Sequence, residues 1–300
     1  MYDICCIGHI TLDKVVTPES EVYMPGGTAF YFARSLYNID HNFLLVTAVA
    51  KDQISFVEDL KNKGIPVQLQ PSAYTVYFEN IYPANQDIRI QRVWQKADPF
   101  LKEDLDNVDA KIFHLGSLLA DDFSVELIKS LSEKGSVSMD VQGMLRAVED
   151  THVIAVDWTE KKEALQYIDI LKANESELKV LTGTDNIAEG AKILASWGVK
   201  EVVVTLGSMG SVIFSDNKFH LIPAFVPQKI VDATGCGDTY MAGYLYKRSL
   251  DIGMQEAGEF GAAMATLNIE NSGPFDGSKK DITAKMERGE KVFPMGAFVV

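Results

Sequence analysis

The apolar residues of this chain fall into short, nearly continuous runs separated by stretches in which they recur at helical spacing. Runs of the first kind lie at Ile4–Ile7, which ends at Gly8, and at Phe43–Ala50, Lys111–Leu115, Ser136–Asp140, Ile168–Ala173 and Glu201–Thr205. Their length and solid apolar character predict strands buried on both faces. Helix-compatible spacing occupies Thr28–Tyr37, Phe123–Lys134, Ala188–Trp197, Asp238–Arg248 and Glu256–Asn268,. Strands that alternate with helices need each helix to carry the chain back between parallel neighbours, so the pattern predicts an α/β domain with a mainly parallel sheet covered on both faces. A sheet of that kind places ligands at the carboxyl ends of its strands.

One segment breaks the alternation. Between Val67 and Gln95, Thr75-Val76-Tyr77-Phe78 and Ile88-Arg89-Ile90-Gln91-Arg92-Val93 flank the turn-prone Pro83-Ala84-Asn85, a pattern that predicts a β-hairpin off the main sheet, placed as a lid. No linker, repeat or low-complexity tract divides the chain, so residues 1–300 are expected to form one domain.

Composition narrows the function classes. Hydrophobic residues make up 47% and charged residues 23% of the chain, enough for a core without metals or disulfides. A formal net charge of −14 argues against a broad surface for nucleic acid, so any anion must be held by local features. Cys5 and Cys6 are adjacent and Cys236 is distant, which is neither a disulfide framework nor metal-ligand spacing. No apolar run approaches the roughly 18 residues of a membrane span, and no basic segment precedes a long apolar stretch near Asp3. A cytoplasmic protein without nucleic-acid or membrane partners is expected.

The stretch that carries the chemistry is Val231-Asp232-Ala233-Thr234-Gly235-Cys236-Gly237-Asp238-Thr239, running into the helical pattern from Tyr240 to Arg248. Small residues let the backbone approach a ligand, and the start of the helix offers unpaired amides at its positive end. An anion would be held there without Lys or Arg. Asp238, at the mouth of that cradle, suits the acceptance of a proton from a hydroxyl while amides stabilise a moving phosphoryl group. The alternative is a helix cap beside a tight turn.

At these residues the chain resembles the ribokinase-like (PfkB) family of carbohydrate kinases, whose signature is close to Asp-Thr-x-Gly-x-Gly-Asp; Ala233 stands where threonine is usual. The resemblance implies a three-layer α/β/α sandwich with a mainly parallel central sheet and a small β lid. It implies an anion hole at Gly235, Cys236 and Gly237, with Asp238 as catalytic base. A monovalent-cation site near Asp232 and Thr234, with K⁺ as the candidate ion, is also implied.

The likeness covers almost the whole chain. Gly8 to Asp13 reproduces a Gly-x-x-x-x-Asp spacing whose aspartate binds substrate hydroxyls in the family; a solvated loop carboxylate is the alternative. Gly26 and Gly27 match the family's double glycine, where substrate lies against backbone, or else form a helix-entry turn. Tyr31, within Phe30-Tyr31-Phe32, stands where the family usually has asparagine. The short interval from Asp13 to Gly26 implies a reduced lid, built from about 14–25 and 67–96. Asn174-Glu175-Ser176-Glu177 matches the Asn-x-x-Glu motif, with Glu177 holding hydrated Mg²⁺ through water; a capped helix start explains the same residues. Thr205, Gly207 and Gly210 match the nucleotide-side loop, or form a strand-to-strand turn. Asn268 is a candidate adenine neighbour beside the small residues Ala262, Ala263 and Ala265. Arg146, after the strand ending at Asp140, could pair with phosphate or make a surface ion pair.

Other routes lack their signatures. There is no Gly-x-x-x-x-Gly-Lys-Ser/Thr, no third glycine after Gly235 and Gly237 because Tyr240 takes its place, no His-Glu-x-x-His and no Gly-x-Ser-x-Gly,. The reading is therefore an ATP- and Mg²⁺-dependent kinase acting on a hydroxyl of a sugar or cyclic polyol, with a homodimer as one assembly. Two alternatives stay open: a nucleoside kinase, with Phe30, Tyr31 and Phe32 as an aromatic wall, and a non-catalytic sugar sensor.

Overall fold

The computed structural model describes residues 1–39, 41–82 and 90–294. The first part of the chain forms β1 (Tyr2–Gly8), β2 (Thr11–Val16), β3 (Glu21–Gly26), α1 (Thr28–Asn38), β4 (Phe43–Val49), α2 (Ile54–Asn62), β5 (Val67–Pro71), β6 (Val76–Ile81) and β7 (Ile90–Gln95). The middle forms β8 (Ala110–Gly116), α3 (Val125–Ser132), β9 (Ser136–Asp140), β10 (Arg146–Glu149), β11 (His152–Ala155), α4 (Lys161–Ala164), β12 (Ile170–Asn174), α5 (Glu175–Thr182) and α6 (Ile187–Ser196). The last part forms β13 (Glu201–Thr205), β14 (Ser211–Ser215), β15 (Lys218–Ile222), β16 (Ala224–Phe225), α7 (Cys236–Arg248), α8 (Met254–Ile269), α9 (Lys279–Arg288) and β17 (Lys291–Val292).

Among the described residues, nine strands make the central sheet in the order β15-β14-β13-β12-β9-β8-β1-β4-β5. All neighbours from β13 to β5 are parallel, while β14 and β15 close the other edge antiparallel. The continuous apolar runs are explained by burial of alternate side chains in two separate cores. Cys5 and Ile7 of β1 join the core beneath α3, α4, α5 and α6, whereas Ile4 and Cys6 join the core beneath α1, α2, α7, α8 and α9. The result is the expected three-layer α/β/α sandwich.

A second sheet of six strands, in the order β10-β11-β7-β6-β2-β3, stands off the carboxyl end of the first. Val76, Phe78 and Val93 from it pack on Leu118 and Leu119, just beyond β8. The predicted hairpin is present in β6 and β7, which pair antiparallel; the turn at Pro83-Ala84-Asn85, with Ile88 and Arg89, lies outside the described residues. Two boundaries differ from the lid expected at 14–25 and 67–96. Val67–Pro71 belongs to the central sheet, where β5 pairs parallel with β4, because its half-buried side chains Val67 and Leu69 pack on the α2 side of the core. Conversely, β10 and β11 (146–155) extend the small sheet through a bridge from His152 to Arg92, so that sheet is larger than the short Asp13–Gly26 interval suggested. Among the described residues no helix is long and apolar enough to cross a membrane.

The core contains a titratable group with a readable consequence. His114 on β8 is fully buried, stacks on Phe32 at 4.5 Å and holds Ser138 Oγ at 3.1 Å through Nδ1. Burial pushes its imidazole down to about 4 from 6.5. The unfolded chain therefore binds a proton before the folded one does, so this contribution to stability is complete above about pH 6.5 and is lost as the pH falls towards 4. Its size is on the order of 3 kcal/mol. Urea unfolding at pH 7 and pH 4.5 should show a smaller loss of stability on acidification for His114→Gln than for the wild type.

Candidate active site

The order of the central sheet reverses direction around β1, with β4 and β5 on one side and β8 and β9 on the other. A crevice forms at such a switch, outside the carboxyl ends of the strands. Into it point the first turns of α1 and α7, the ends of β9 and β12, and the start of β2.

Gly235 caps α7 with φ at 72°, a conformation that strains other residues,. A Cβ there would also lie 2.4 Å from Cδ1 of Tyr31. The Cys236 N–H donates to the Ala233 carbonyl at 3.2 Å, and the Thr239 N–H to the Gly235 carbonyl at 2.8 Å. Where 235–237 was expected to supply an anion hole, the tight turn uses the Cys236 amide, and the amides of Gly237 and Asp238 are the ones left without an acceptor in their own helix. They sit at the positive end of a helix of 13 residues,. That helix start carries no side-chain cap bond, so Asp238 is not there as a cap.

Asp238 is half-buried, and the Thr28 side chain at the start of α1 is one of the groups that favour its ionised carboxylate. Burial, with repulsion from Asp140, pushes its carboxyl up to about 7, against the pull of Lys172, Thr28 and Arg146. A carboxylate poised there can both hold and release a proton near neutral pH.

The side chain that organises these charges is Lys172, in the middle of β12 and 6% exposed. Its Nζ lies 2.9 Å from Asp140 Oδ2 and 4.0 Å from Glu177 Oε2. A Cβ placed on Gly237 would meet that Nζ at 3.5 Å, so the ammonium rests against the first turn of α7. Burial works against its charge, yet the carboxylates of Asp140 and Glu177 overcome that and hold it above the ordinary lysine range. Sequence reasoning missed Lys172. The available signal was a lone lysine inside the apolar run Ile170-Leu171-Lys172-Ala173, at the ligand-bearing end of a predicted strand.

Asn174 and Glu177 form a reciprocal cap on α5: the Glu177 N–H donates to Asn174 Oδ1 at 2.9 Å and the Asn174 N–H to Glu177 Oε2 at 2.7 Å. The capping alternative describes their geometry. The same bonds aim Glu177 at Lys172, and burial pushes its carboxyl up while Lys172 pulls it down. Arg146 opens β10 and its charge reaches both Glu177 and Asp238.

On one side of the α7 start lies a cavity of about 470 Å³ whose lining includes Thr205, Gly207, Gly210, Pro227, Cys236, Gly237 and Ala265. Thr205 to Gly210 do form a turn between antiparallel strands, and that turn is a wall of the cavity. Asn268 departs from its expected place as an adenine neighbour. It is 1% exposed and donates to the Thr234 carbonyl at 3.1 Å, because the loop before α7 needs that support; it is not among the cavity-lining residues.

On the other side lies Asp13, on β2, which accepts a 2.6 Å hydrogen bond from Thr11 Oγ1. A Cβ on Gly26 would collide with Asp13 Oδ2 at 2.2 Å, and Gly27, with φ at 90°, caps α1. The double glycine therefore lets β3 pass the carboxylate and turn into α1. Tyr31, one turn on, is buried, and burial followed by Asp13, Asp232 and Asp238 keeps its phenol well above the usual range. Phe32 instead faces the core against His114, so the three aromatics do not share one wall. Asp232 Oδ1 accepts the Thr234 N–H at 2.9 Å, and Thr234 is exposed. Among the described residues no three His, Cys, Asp or Glu groups gather as a metal cage.

A family model described as pfkB family carbohydrate kinase matches residues 1–281. A cytidine kinase of Thermococcus kodakarensis is 29% identical over 280 residues, which span 88% of this chain and 95% of that protein. A nucleoside kinase of Methanocaldococcus jannaschii is 24% identical over 291 residues, 91% of this chain and 92% of that one. Among solved structures, a pyrophosphate-dependent kinase in the ribokinase family, complexed with a pyrophosphate analog and myo-inositol, is 28% identical. It superposes with a TM-score of 0.84 over 94% of this chain and 99% of its own. Thermotoga maritima ribokinase shares the fold at 20% identity, with a TM-score of 0.77 over 96% of this chain and 100% of that chain.

Because Lys172 balances buried Asp140, Lys172→Met should leave an uncompensated charge and lower the unfolding free energy by about 3–5 kcal/mol. Chemical denaturation at pH 7 measures the loss.

Proposed function

The chain belongs to the pfkB family of carbohydrate kinases, and from that premise we propose that it transfers the terminal phosphoryl group of ATP to a hydroxyl of a sugar or cyclic polyol. The observation that carries this reading is the meeting, at one helix start, of a carboxylate with its pKa near 7, two first-turn amides and a buried ammonium. Asp238 takes the proton of the acceptor hydroxyl as that oxygen attacks phosphorus. The Gly237 and Asp238 amides, with Lys172, bind the oxygens of the moving group, where preorganised donors act most strongly. Asp13 holds the acceptor's other hydroxyls, since an ionised carboxylate only accepts hydrogen bonds and can grip two neighbours.

Magnesium suits this donor set. It keeps several waters and is held through phosphates with one or two carboxylates, and Glu177 and Asp140 are the nearby carboxylates while no protein cage is needed. Bound there, it would neutralise donor phosphate charge. A potassium ion beside Asp232 and Thr234 fits in one respect: Asn268 Oδ1, next to Thr234, is a buried oxygen without a hydrogen-bond partner.

ATP is favoured as donor by the apolar cavity that shares Cys236 and Gly237 with the anion site. A purine nucleoside fills such a space, whereas pyrophosphate has no apolar part to place in it. The similarity to a pyrophosphate-dependent kinase supplies the competing reading. A nucleoside as acceptor is the reading that the cytidine kinase similarity supports. A sensor without turnover would have no chemical need for the raised carboxyl of Asp238.

Asp238→Asn should bind ATP as the wild type does and lower kcat by about 10²–10⁴, measured by coupled ADP release over a panel of polyols, sugars and nucleosides. A wild-type rate in this variant would remove Asp238 as the base. Since the base works ionised, the wild-type kcat/KM should rise with pH and level off above a limb near 7. Filling the cavity with Ala265→Phe should raise the KM for ATP roughly tenfold and leave acceptor KM unchanged; turnover driven by pyrophosphate and unaffected by Ala265→Phe would establish the other donor.

A further inference from the structure

We propose that the donor side of the site accepts purine nucleoside triphosphates without distinguishing their bases, an inference that rests on the kinase reading above and deepens its donor half. Selectivity for one base needs hydrogen-bonding groups of fixed sense aimed at the ring edge, because the wrong base leaves those groups unpaired. The cavity beside the start of α7 does not supply them.

Among the described residues, the side chains that line this cavity include no carboxylate, ammonium, guanidinium, carboxamide or imidazole. Three of its polar side chains already have partners. The Tyr240 hydroxyl shares a 2.8 Å hydrogen bond with Ser211 Oγ. Thr266 Oγ1 donates toward the carbonyls of Ala262 at 2.9 Å and Phe225 at 3.2 Å, and the Cys236 thiol donates to the Ala265 carbonyl at 3.6 Å. Thr205 and Ser208 complete the polar side chains there. A hydroxyl donates as readily as it accepts, so it meets the amino group of adenine and the carbonyl of guanine equally well.

Backbone groups at Val226, Pro227 and Ile269 are committed as well. The Val226 N–H donates to the Glu290 carbonyl at 2.9 Å, and the Val226 carbonyl accepts from Lys285 Nζ at 3.3 Å. Pro227 has no N–H. The Ile269 carbonyl accepts the N–H groups of Val231 at 2.9 Å and Asp232 at 3.3 Å. Lys285 is itself held by Glu270 Oε1 at 2.9 Å, which also accepts the Gln228 N–H at 2.8 Å, so this wall is braced from α9.

What remains is apolar surface, from Val226, Ile230, Ala265 and Val292 among others, and Ile230 stands 76% exposed. The faces of a purine ring gain from that contact whatever substituents the ring carries, and its polar edge stays in water. Specificity then lies with the triphosphate, at the Gly237 and Asp238 amides and Lys172.

The test titrates the wild-type chain with MgATP, MgGTP and MgITP by calorimetry. It also follows phosphorylation of myo-inositol, D-ribose and cytidine with each donor, by chromatography of the nucleoside diphosphate formed. The three dissociation constants should agree within about tenfold, as should kcat/KM with any acceptor that turns over. Thr205→Val and Ser208→Ala should leave the ratio of the GTP to the ATP dissociation constant within about twofold of the wild-type ratio. A preference of more than about tenfold for ATP over GTP or ITP overturns the proposal, and so does a larger shift of that ratio in either variant. Failure of all three nucleotides to bind overturns it together with ATP as the donor. Binding without turnover of any acceptor strikes the kinase reading instead, and the dissociation constants then decide the proposal by themselves.

Discussion

The ammonium of Lys172, closed in between the carboxyl ends of β9 and β12 and the first turn of α7, is the charge on which the rest of the site depends. A buried cation persists only with partners, and here Asp140 supplies a direct ion pair at 2.9 Å,. That pair ties two parallel strands to each other at the ligand-bearing edge. It also determines what the neighbouring helix start can hold. The paired lysine still favours the ionised carboxylate of Asp238, and its Nζ rests against the first turn of α7, where a Cβ on Gly237 would meet it at 3.5 Å. Electrostatics, more than backbone shape, separates this arrangement from an ordinary capped helix.

Asp238 shows how opposing terms set a useful value. Burial and the negative field of Asp140 work against its ionised form, while Lys172, Thr28 and Arg146 favour it. Burial and Asp140 win, and the carboxyl is lifted from 3.8 to about 7. The contributors come from the end of β9, β12, the first turn of α1 and the start of β10, so four separate elements tune one proton. Glu177 belongs to the same network through Lys172 and at the same time closes a helix cap. A cap and a charge relay are not competing descriptions of that residue; the capping bonds are what orient its carboxylate.

The fold also makes the two sides of the α7 start differ in polarity. The turn before β14 and the small residues of α8 enclose an apolar space on one side of the α7 start. On the other side, β2, β3 and the head of α1 present Asp13, Tyr31 and Thr28. The meeting point is the tight turn at Gly235, whose left-handed backbone serves both neighbours: it caps α7, and it leaves room for the Tyr31 ring. The small sheet, docked on Leu118 and Leu119, carries Asp13 over the crevice without interrupting the central core.

Local pattern determined the strands of the parallel sheet, the helices between them and the glycine-rich turn before Asp238, because apolar period and turn chemistry act over a few residues. The family likeness extended this to Asp13, Gly26 and Gly27, which the structure brings to one edge of the crevice. Tertiary structure alone decided the rest. Val67–Pro71 reads like part of a hairpin, but its pairing with β4 depends on a partner more than 15 residues away. The Cys236 amide, expected in the anion hole, and Asn268, a candidate adenine neighbour, both make hydrogen bonds within the turn from Ala233 to Cys236. The role of Lys172, a lone lysine in an apolar run, depends on Asp140 and Glu177 being brought beside it. Charge–charge terms fall off with distance in space and not along the chain, which is why the motif was legible in one dimension and the pKa of its aspartate was set only in three.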